Sequence, residues 1–206
     1  MNVLTILAIP LFLLGLIIAL IFAYLLGNYN IFLNTISELG SFNATPFPII
    51  MNGTFMISPI FLSFFFIKLF KIVFNYVREH KRLKNTIVFA FSLFGIMNIA
   101  FFLTGIFNVD ISRLYHNICA SFVFIPLLIG EVIVGIVILI QKIFHPYISV
   151  LMIFGQALAS ILYFIIQSPL LEWIIFFVLL TWGVPLSIKM VKRKSIFPLQ
   201  EVENML

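Results

Sequence analysis

The sequence predicts an all-α membrane protein with six transmembrane helices and both termini in the cytoplasm. Three observations lead to this prediction. Of the 206 residues, 63% are hydrophobic and 9% are charged, whereas about 25% of the residues in a soluble domain are charged. Six apolar stretches reach the length of about 20 residues that a bilayer span needs. The basic residues gather on one side of the resulting arrangement. We therefore expect residues 1–206 to form one domain in the cell membrane.

The six predicted spans follow one another with short connections. Their approximate bounds are residues 3–26, 47–70, 86–107, 114–140, 147–166 and 170–188. Pro48, Pro146 and Pro169 mark the starts of the second, fifth and sixth spans. Proline suits the first turn of a helix, because its missing N–H would be unpaired there anyway. The first stretch lacks the basic start and the cleavage site of a secretory signal, so we expect it to be a span.

The distribution of basic residues predicts the orientation. Eleven of the twelve fall on one side: Lys68, Lys71, Arg78, Lys81, Arg82, Lys84, Lys142, Lys189, Lys192, Arg193 and Lys194. Arg113 alone falls on the other side. Because basic residues concentrate in cytoplasmic connections, the first loop and the turn before Arg113 should face outside. The net charge of +5 then reflects topology, and we expect no nucleic-acid partner.

The predicted first loop carries one acidic residue, Glu38, far from any basic residue. Thr35 and Glu38 have the spacing of a capping box, in which the acidic side chain reaches back to the start of a helix. Gly40 would follow the helix end with a positive φ. Ile36 and Leu39 would rest on the outer leaflet. In this structural interpretation, Glu38 only stabilises a short interfacial helix.

A functional interpretation joins Glu38 to polar residues of the second outer connection. Asp110 and His116 are predicted on the same side of the membrane, and the first loop would bring Glu38 to them. A carboxylate beside an imidazole can hold a proton, a hydroxyl group or a metal ion. These three are the candidate catalytic residues of an outer-leaflet enzyme with a lipid-like substrate. Alternatively, Asp110 and Arg113 form an ordinary surface salt bridge.

Several motifs resemble a family of six-helix membrane proteins of undetermined function, number nine-nine-eight among the domains of unknown function. The motifs are "ISELG" at Ile36–Gly40, "MNG" at Met51–Gly53 and "TGIFNVD" at Thr104–Asp110, with the histidine that follows at His116. The resemblance implies the six-span architecture and no established chemistry. It also implies that family positions lie at Glu38, Asn52, Asp110 and His116.

The fourth predicted span contains an acidic residue, Glu131. It follows His116 by fifteen residues and therefore lies roughly 22 Å deeper on the same helix. Without a basic partner there, we expect the carboxyl group to be uncharged. Asn98 and Gln156 lie at similar depth and could hydrogen-bond it. The group is either a clamp that fixes helix packing or the proton or cargo site of a small permease.

Aromatic residues near the span ends are typical of an interfacial belt. We assign Tyr24, Tyr29, Tyr115, Trp173 and Trp182 to it.

No zinc-ligand pattern, phosphate loop or nucleophile elbow occurs in the sequence. We therefore expect no cofactor and no metal, and favour a protein that is not an enzyme. The leading hypothesis is a helical bundle that binds membrane lipids, another membrane protein or a second copy of itself. The alternatives are a proton-coupled permease that uses Glu131 and an enzyme that uses Glu38, Asp110 and His116.

Overall fold

The computed structural model describes residues 2–192, and this part of the chain is helical without any strand. Six of its helices are long and apolar enough to cross a membrane. They are called spans one to six: Asn2–Leu26, Pro48–Val77, Lys81–Ile106, Arg113–Ile140, Pro146–Ile166 and Pro169–Lys192. The all-α class and the six spans are confirmed.

Spans two and three are longer than their apolar stretches predicted. Span two continues past Phe70 to Val77, and span three begins at Lys81 rather than near residue 86. Lys and Arg favour helix, so the helices continue into their basic ends instead of stopping where hydropathy falls. Two of the basic residues used for orientation, Arg193 and Lys194, lie outside the described residues.

Span five contains a π-helical turn at Leu151–Gly155. There the backbone N–H of Gln156 donates to the carbonyl of Leu151, five residues back. Such turns are rare and often occur at functional sites. Gly155 approaches Val178 of span six closely, since a Cβ built on Gly155 would lie 3.2 Å from Val178 Cγ1. The turn therefore sets the rotation of Gln156 relative to span six.

Neighbouring spans pack side by side from one to four, and span six packs against spans five and one. Spans four and six have almost no direct contact, which leaves space between them in the interior. Many large apolar side chains are exposed on the outside of the bundle, among them Ile17, Ile99 and Phe154. This outer surface suits contact with lipid chains.

The first loop, residues 27–47, folds across one end of the bundle, here called the loop end. The opposite end carries the 78–80 and 141–145 connections and is called the basic end. A short 3-10 helix at Ile36–Gly40 lies within the loop, and Glu38 Oε2 accepts from the Thr35 backbone N–H at 2.9 Å. Ile36 and Leu39 are 6% and 0% exposed. The prediction that they rest on the outer leaflet is wrong, because the loop covers the bundle interior.

Gly40 is required for a close approach, not for a positive φ. No glycine of the described chain has a positive φ, so that prediction is wrong. A Cβ on Gly40 would collide with the side chain of Asn52, whose Nδ2 donates to the Gly40 carbonyl at 3.0 Å. Asn52 of span two therefore holds the loop in place.

Asp110 is a second attachment point for the first loop. Its carboxylate accepts from Ser41 Oγ at 2.6 Å and from the Phe42 backbone N–H at 2.8 Å. The predicted alternative, a salt bridge between Asp110 and Arg113, is absent from residues 2–192. The loop offers the carboxylate two preformed donors, and bonds to a charged acceptor are among the stronger ones.

Candidate functional site

An interior cavity of about 360 Å³ is lined by residues of all six spans and of the first loop. In span four its wall runs from Arg113 to Leu127, and in span six from Glu172 to Gly183. The eleven residues that separate Glu172 from Gly183 correspond to about 16 Å along the bundle axis. The volume falls within the range of small-molecule sites, roughly 300–1,000 Å³.

The middle of the cavity is apolar. Its wall includes Phe12, Phe55, Leu62, Phe65, Phe66, Met97, Phe101, Val123, Ile175, Phe176 and Leu179. Several of these rings pack against one another, with centroids 5.2 Å apart for Phe12 and Phe176 and 5.8 Å apart for Phe12 and Phe101. This region can accommodate a hydrocarbon chain and offers it no polar partner.

The loop end of the cavity is polar. It is lined by Thr35, Ser37, Glu38, Thr104, Arg113, His116, Asn117, Tyr163 and Glu172. Glu172 is 8% exposed, approaches the backbone N–H of Ser37 and lies close enough to Glu38 to interact electrostatically. Arg113, which is exposed, is the one basic side chain among these residues. The loop end therefore presents two carboxyl groups and one cation to a molecule that enters.

His116 has one satisfied and one unsatisfied ring nitrogen. Its Nδ1 lies 3.0 Å from the Phe107 carbonyl oxygen, and the Thr104 carbonyl is also near the ring. An N–H on Nδ1 would satisfy that carbonyl, and Nε2 would then carry a lone pair. The side chain is 4% exposed, and Nε2 has no hydrogen-bond partner. His116 can therefore accept a hydrogen bond from a molecule in the cavity.

The deep end of the cavity holds two more polar groups without partners. Gln156 Oε1 and Trp182 Nε1 are buried and unbonded, and both side chains line the cavity. Trp182 is 2% exposed, so its predicted place in an interfacial belt is wrong. Tyr29 and Trp173 are also buried, at 7% and 2% exposure, and their assignment to that belt is wrong as well.

Two of the three candidate catalytic residues line the same cavity. Glu38 and His116 do so, whereas Asp110 lies outside it and binds the first loop. Asn52 also lies outside and holds Gly40. Glu172 joins Glu38 and His116, and sequence reasoning missed it. The available signal was its place in the first turn of span six, on the predicted outer side, where the helix dipole favours an acid.

Glu131 is fully buried but does not line the cavity. Neither of its carboxyl oxygens has a hydrogen-bond partner. The predicted clamp with Asn98 and Gln156 is therefore wrong. Asn98 Nδ2 instead donates to Ser63 Oγ of span two at 3.3 Å, and Gln156 is in the cavity wall. Glu131 thus lies on the part of span four that faces span five, one turn from Gly135, which approaches Met152.

Within residues 2–192, no three His, Cys, Asp or Glu side chains come together as a ligand set for a metal ion. The comparisons with known proteins add no assignment: the chain matches no protein-family profile, no curated protein and no solved structure.

Proposed function

We propose that this protein binds a single-chain, lipid-like amphiphile in the interior cavity, with the polar head of the ligand at the loop end. The observation that supports this most is the polarity pattern of the cavity wall. The carboxyl groups of Glu38 and Glu172 lie at the loop end with Arg113 and His116, and phenylalanines surround the middle. An amphiphile matches both regions at once, because its chain removes apolar surface from water while its head meets polar groups.

Unsatisfied polar groups argue that the cavity is occupied and not empty. Cavities that stay empty in proteins are apolar. In this cavity His116 Nε2, Gln156 Oε1 and Trp182 Nε1 are buried without partners, and leaving each of them so costs about 1–3 kcal/mol. A ligand that supplies the missing partners would recover part of that cost.

The proposal includes a location. We place the protein in the cell membrane with the loop end outside and both termini in the cytoplasm, because basic residues prefer the cytoplasmic side. The head of the ligand would then lie at the outer leaflet. Membership of the six-helix family that the sequence resembles remains a prediction, supported by the six spans and by the contacts that Asn52 and Asp110 make with the first loop.

The two tryptophans of the chain give a direct test. Trp182 lines the cavity and Trp173 does not. The probe is dodecanol brominated at its chain end, because bromine quenches indole fluorescence only at short range. In bilayers that contain the protein, we expect the probe to quench the Trp173→Phe variant, which reports on Trp182. The Trp182→Phe variant, which reports on Trp173, should be quenched much less.

A pair of bulky substitutions controls for quenching from the bulk lipid. Ala120 lines the cavity, whereas Ser121 of the same helix is exposed. Ala120→Phe should fill the cavity and abolish the quenching of Trp182, and Ser121→Phe should leave it unchanged. Equal quenching of Trp182 and Trp173, or quenching that persists in Ala120→Phe, would contradict the proposal.

A second candidate function is acid–base chemistry on the head of the bound molecule. The observation in its favour is that Nε2 of His116 is free of partners in a cavity that also contains Glu38 and Glu172. In this scheme Glu172 takes the candidate catalytic role that the sequence analysis gave to Asp110, because Asp110 binds the first loop. Turnover of a radiolabelled monoacylglycerol by the wild type, lost in His116→Asn, would support it. An inactive wild type would contradict it.

A further inference from the structure

The deep end of the cavity contains a pair of polar side chains that the head of an amphiphile cannot reach. Trp182 follows Glu172 by ten residues, which places it about 15 Å from the loop end. Gln156 directly follows the π turn of span five, and Trp182 belongs to span six. Their exposed fractions are 1% and 2%.

Spans five and six run antiparallel, and their packing places Gln156 and Trp182 at levels about 7.5 Å apart along the bundle axis. Gly155 faces Val178, with 3.2 Å between its built Cβ and Val178 Cγ1. Gln156 follows Gly155 by one residue toward the loop end, and Trp182 lies one helical turn beyond Val178 toward the basic end. Because a side chain leans toward the N-terminus of its own helix, the two side chains lean toward each other. Both side chains line the same cavity. A small polar group at the cavity floor, between these two levels, would lie near both side chains.

The unsatisfied atoms define what that group must be. The indole N–H of Trp182 is a donor only, and the Gln156 amide offers both a donor and an acceptor. Trp182 Nε1 and Gln156 Oε1 have no partner. The indole N–H requires an acceptor whichever way the amide is turned. An oxygen atom, in a hydroxyl or a carbonyl group, meets this requirement, and a hydroxyl can also donate to the amide oxygen.

We infer that the ligand carries a second polar group, an oxygen near the far end of its chain, which binds between Trp182 and Gln156. The inference rests on the proposed function, because it names the chemistry of the ligand in that same cavity. It distinguishes a ligand with polar groups at both ends from an ordinary single-headed lipid. An ordinary apolar chain end would leave both side chains unsatisfied.

The experiment compares two chains of equal length. Dodecanol has one hydroxyl group, and dodecane diol has one at each end. Each competes with radiolabelled dodecanol for the purified full-length protein in lipid nanodiscs. The proteins are the wild type, Trp182→Phe, Gln156→Leu and the matched control Trp173→Phe, whose indole N–H donates to the Asn34 carbonyl at 3.3 Å. Differences in partition into lipid cancel when ratios of affinity are compared between proteins.

We expect the wild type and Trp173→Phe to show the same diol-to-dodecanol affinity ratio. In Trp182→Phe and Gln156→Leu that ratio should fall about three- to tenfold, the value of one or two net hydrogen bonds, while dodecanol still binds. The same ratio in all four proteins would overturn the inference and leave the proposed function intact. No saturable binding of dodecanol to any of them would overturn the proposed function itself. If Trp182→Phe does not fold, Gln156→Leu carries the test.

Discussion

The first loop and the interior of the bundle differ in whether their polar side chains have hydrogen-bond partners. The polar groups of the loop and of its two attachment points have partners: Asn52 donates to Gly40, Asp110 accepts from Ser41 and Phe42, and Glu38 accepts from Thr35. In the interior, Glu131, Gln156, Trp182 and His116 each leave at least one polar atom unbonded.

This difference predicts how the removal of a polar side chain changes stability in each region. Bonded groups stabilise the closed loop end, so their loss should lower stability. Unbonded buried groups reduce stability, since each loses its bonds to water without replacement. Their loss should therefore leave the free energy of unfolding unchanged or raise it. Substitutions in the two regions should thus have effects of opposite sign.

Removing the carboxylate of Asp110 should give the largest effect. Asp110→Ala deletes both charge-assisted hydrogen bonds to the first loop, and we expect the free energy of unfolding to fall by about 2–3 kcal/mol. Thermal unfolding in detergent measures the change, and protease cleavage within residues 27–47 reports detachment of the loop. Asp110→Asn keeps a hydrogen-bond acceptor, so its free energy of unfolding should fall by about half as much as that of Asp110→Ala. An Asp110→Ala protein that is as stable as the wild type and keeps its loop protected from protease would contradict the view that the bonded polar groups of the loop end stabilise the fold.

The sequence was sufficient to predict the architecture because apolar length alone determines where a chain can cross a bilayer. It was less reliable at the helix ends. Lys81, Arg82 and Lys84 are polar yet favour helix, so the helical part of span three begins before its apolar part. The π turn at Leu151–Gly155 left no signal in hydropathy, because all five residues are as apolar as their neighbours.

The site was predictable only in part. Glu38 and His116 were identifiable because they are polar residues on one predicted side of an apolar chain. The sequence could not predict that Trp182 and Gln156 face the interior. Most spans are apolar on every face and have no amphipathic stripe that distinguishes the inner face from the outer one. The approach of Glu172 to Ser37 likewise depends on how the loop packs against span six.

Replacing Glu131 should have an effect of opposite sign and intermediate size. Glu131→Leu removes a fully buried carboxyl group without partners, and we expect the free energy of unfolding to rise by about 1–2 kcal/mol. Glu131→Gln, which keeps a polar group at the same place, should give no gain. The thermal unfolding midpoint in detergent distinguishes the two variants. A less stable Glu131→Leu protein would show that the interior carboxyl group has a partner after all and would place it with the bonded groups.

The smallest effect concerns Tyr29 of the first loop. Its hydroxyl donates to the carbonyls of Thr35 and Asn34, at 2.9 and 3.2 Å. At neutral pH we expect the substitution Tyr29→Phe to lower the free energy of unfolding by about 1 kcal/mol. Tyr24→Phe is the matched control, because the Tyr24 side chain is 80% exposed and its substitution should change nothing.

Burial of the Tyr29 hydroxyl also leads us to expect that the stability of the protein depends on pH. This dependence tests whether the polar groups of the first loop are held by their partners. Burial raises the pKa of Tyr29 well above its ordinary value. The nearby indole N–H of Trp173 opposes this rise, and charges on Glu172 and Glu38 add to it. The unfolded chain loses the phenolic proton near pH 10, whereas the folded chain keeps it. The stabilisation is therefore complete below pH 10 and is lost as the pH rises toward the folded pKa. Above pH 10 the wild type should lose stability more steeply than Tyr29→Phe, so the gap between them narrows. Parallel curves for the two proteins from pH 8 to pH 11 would show that the buried hydroxyl of the loop is not held as the structure describes.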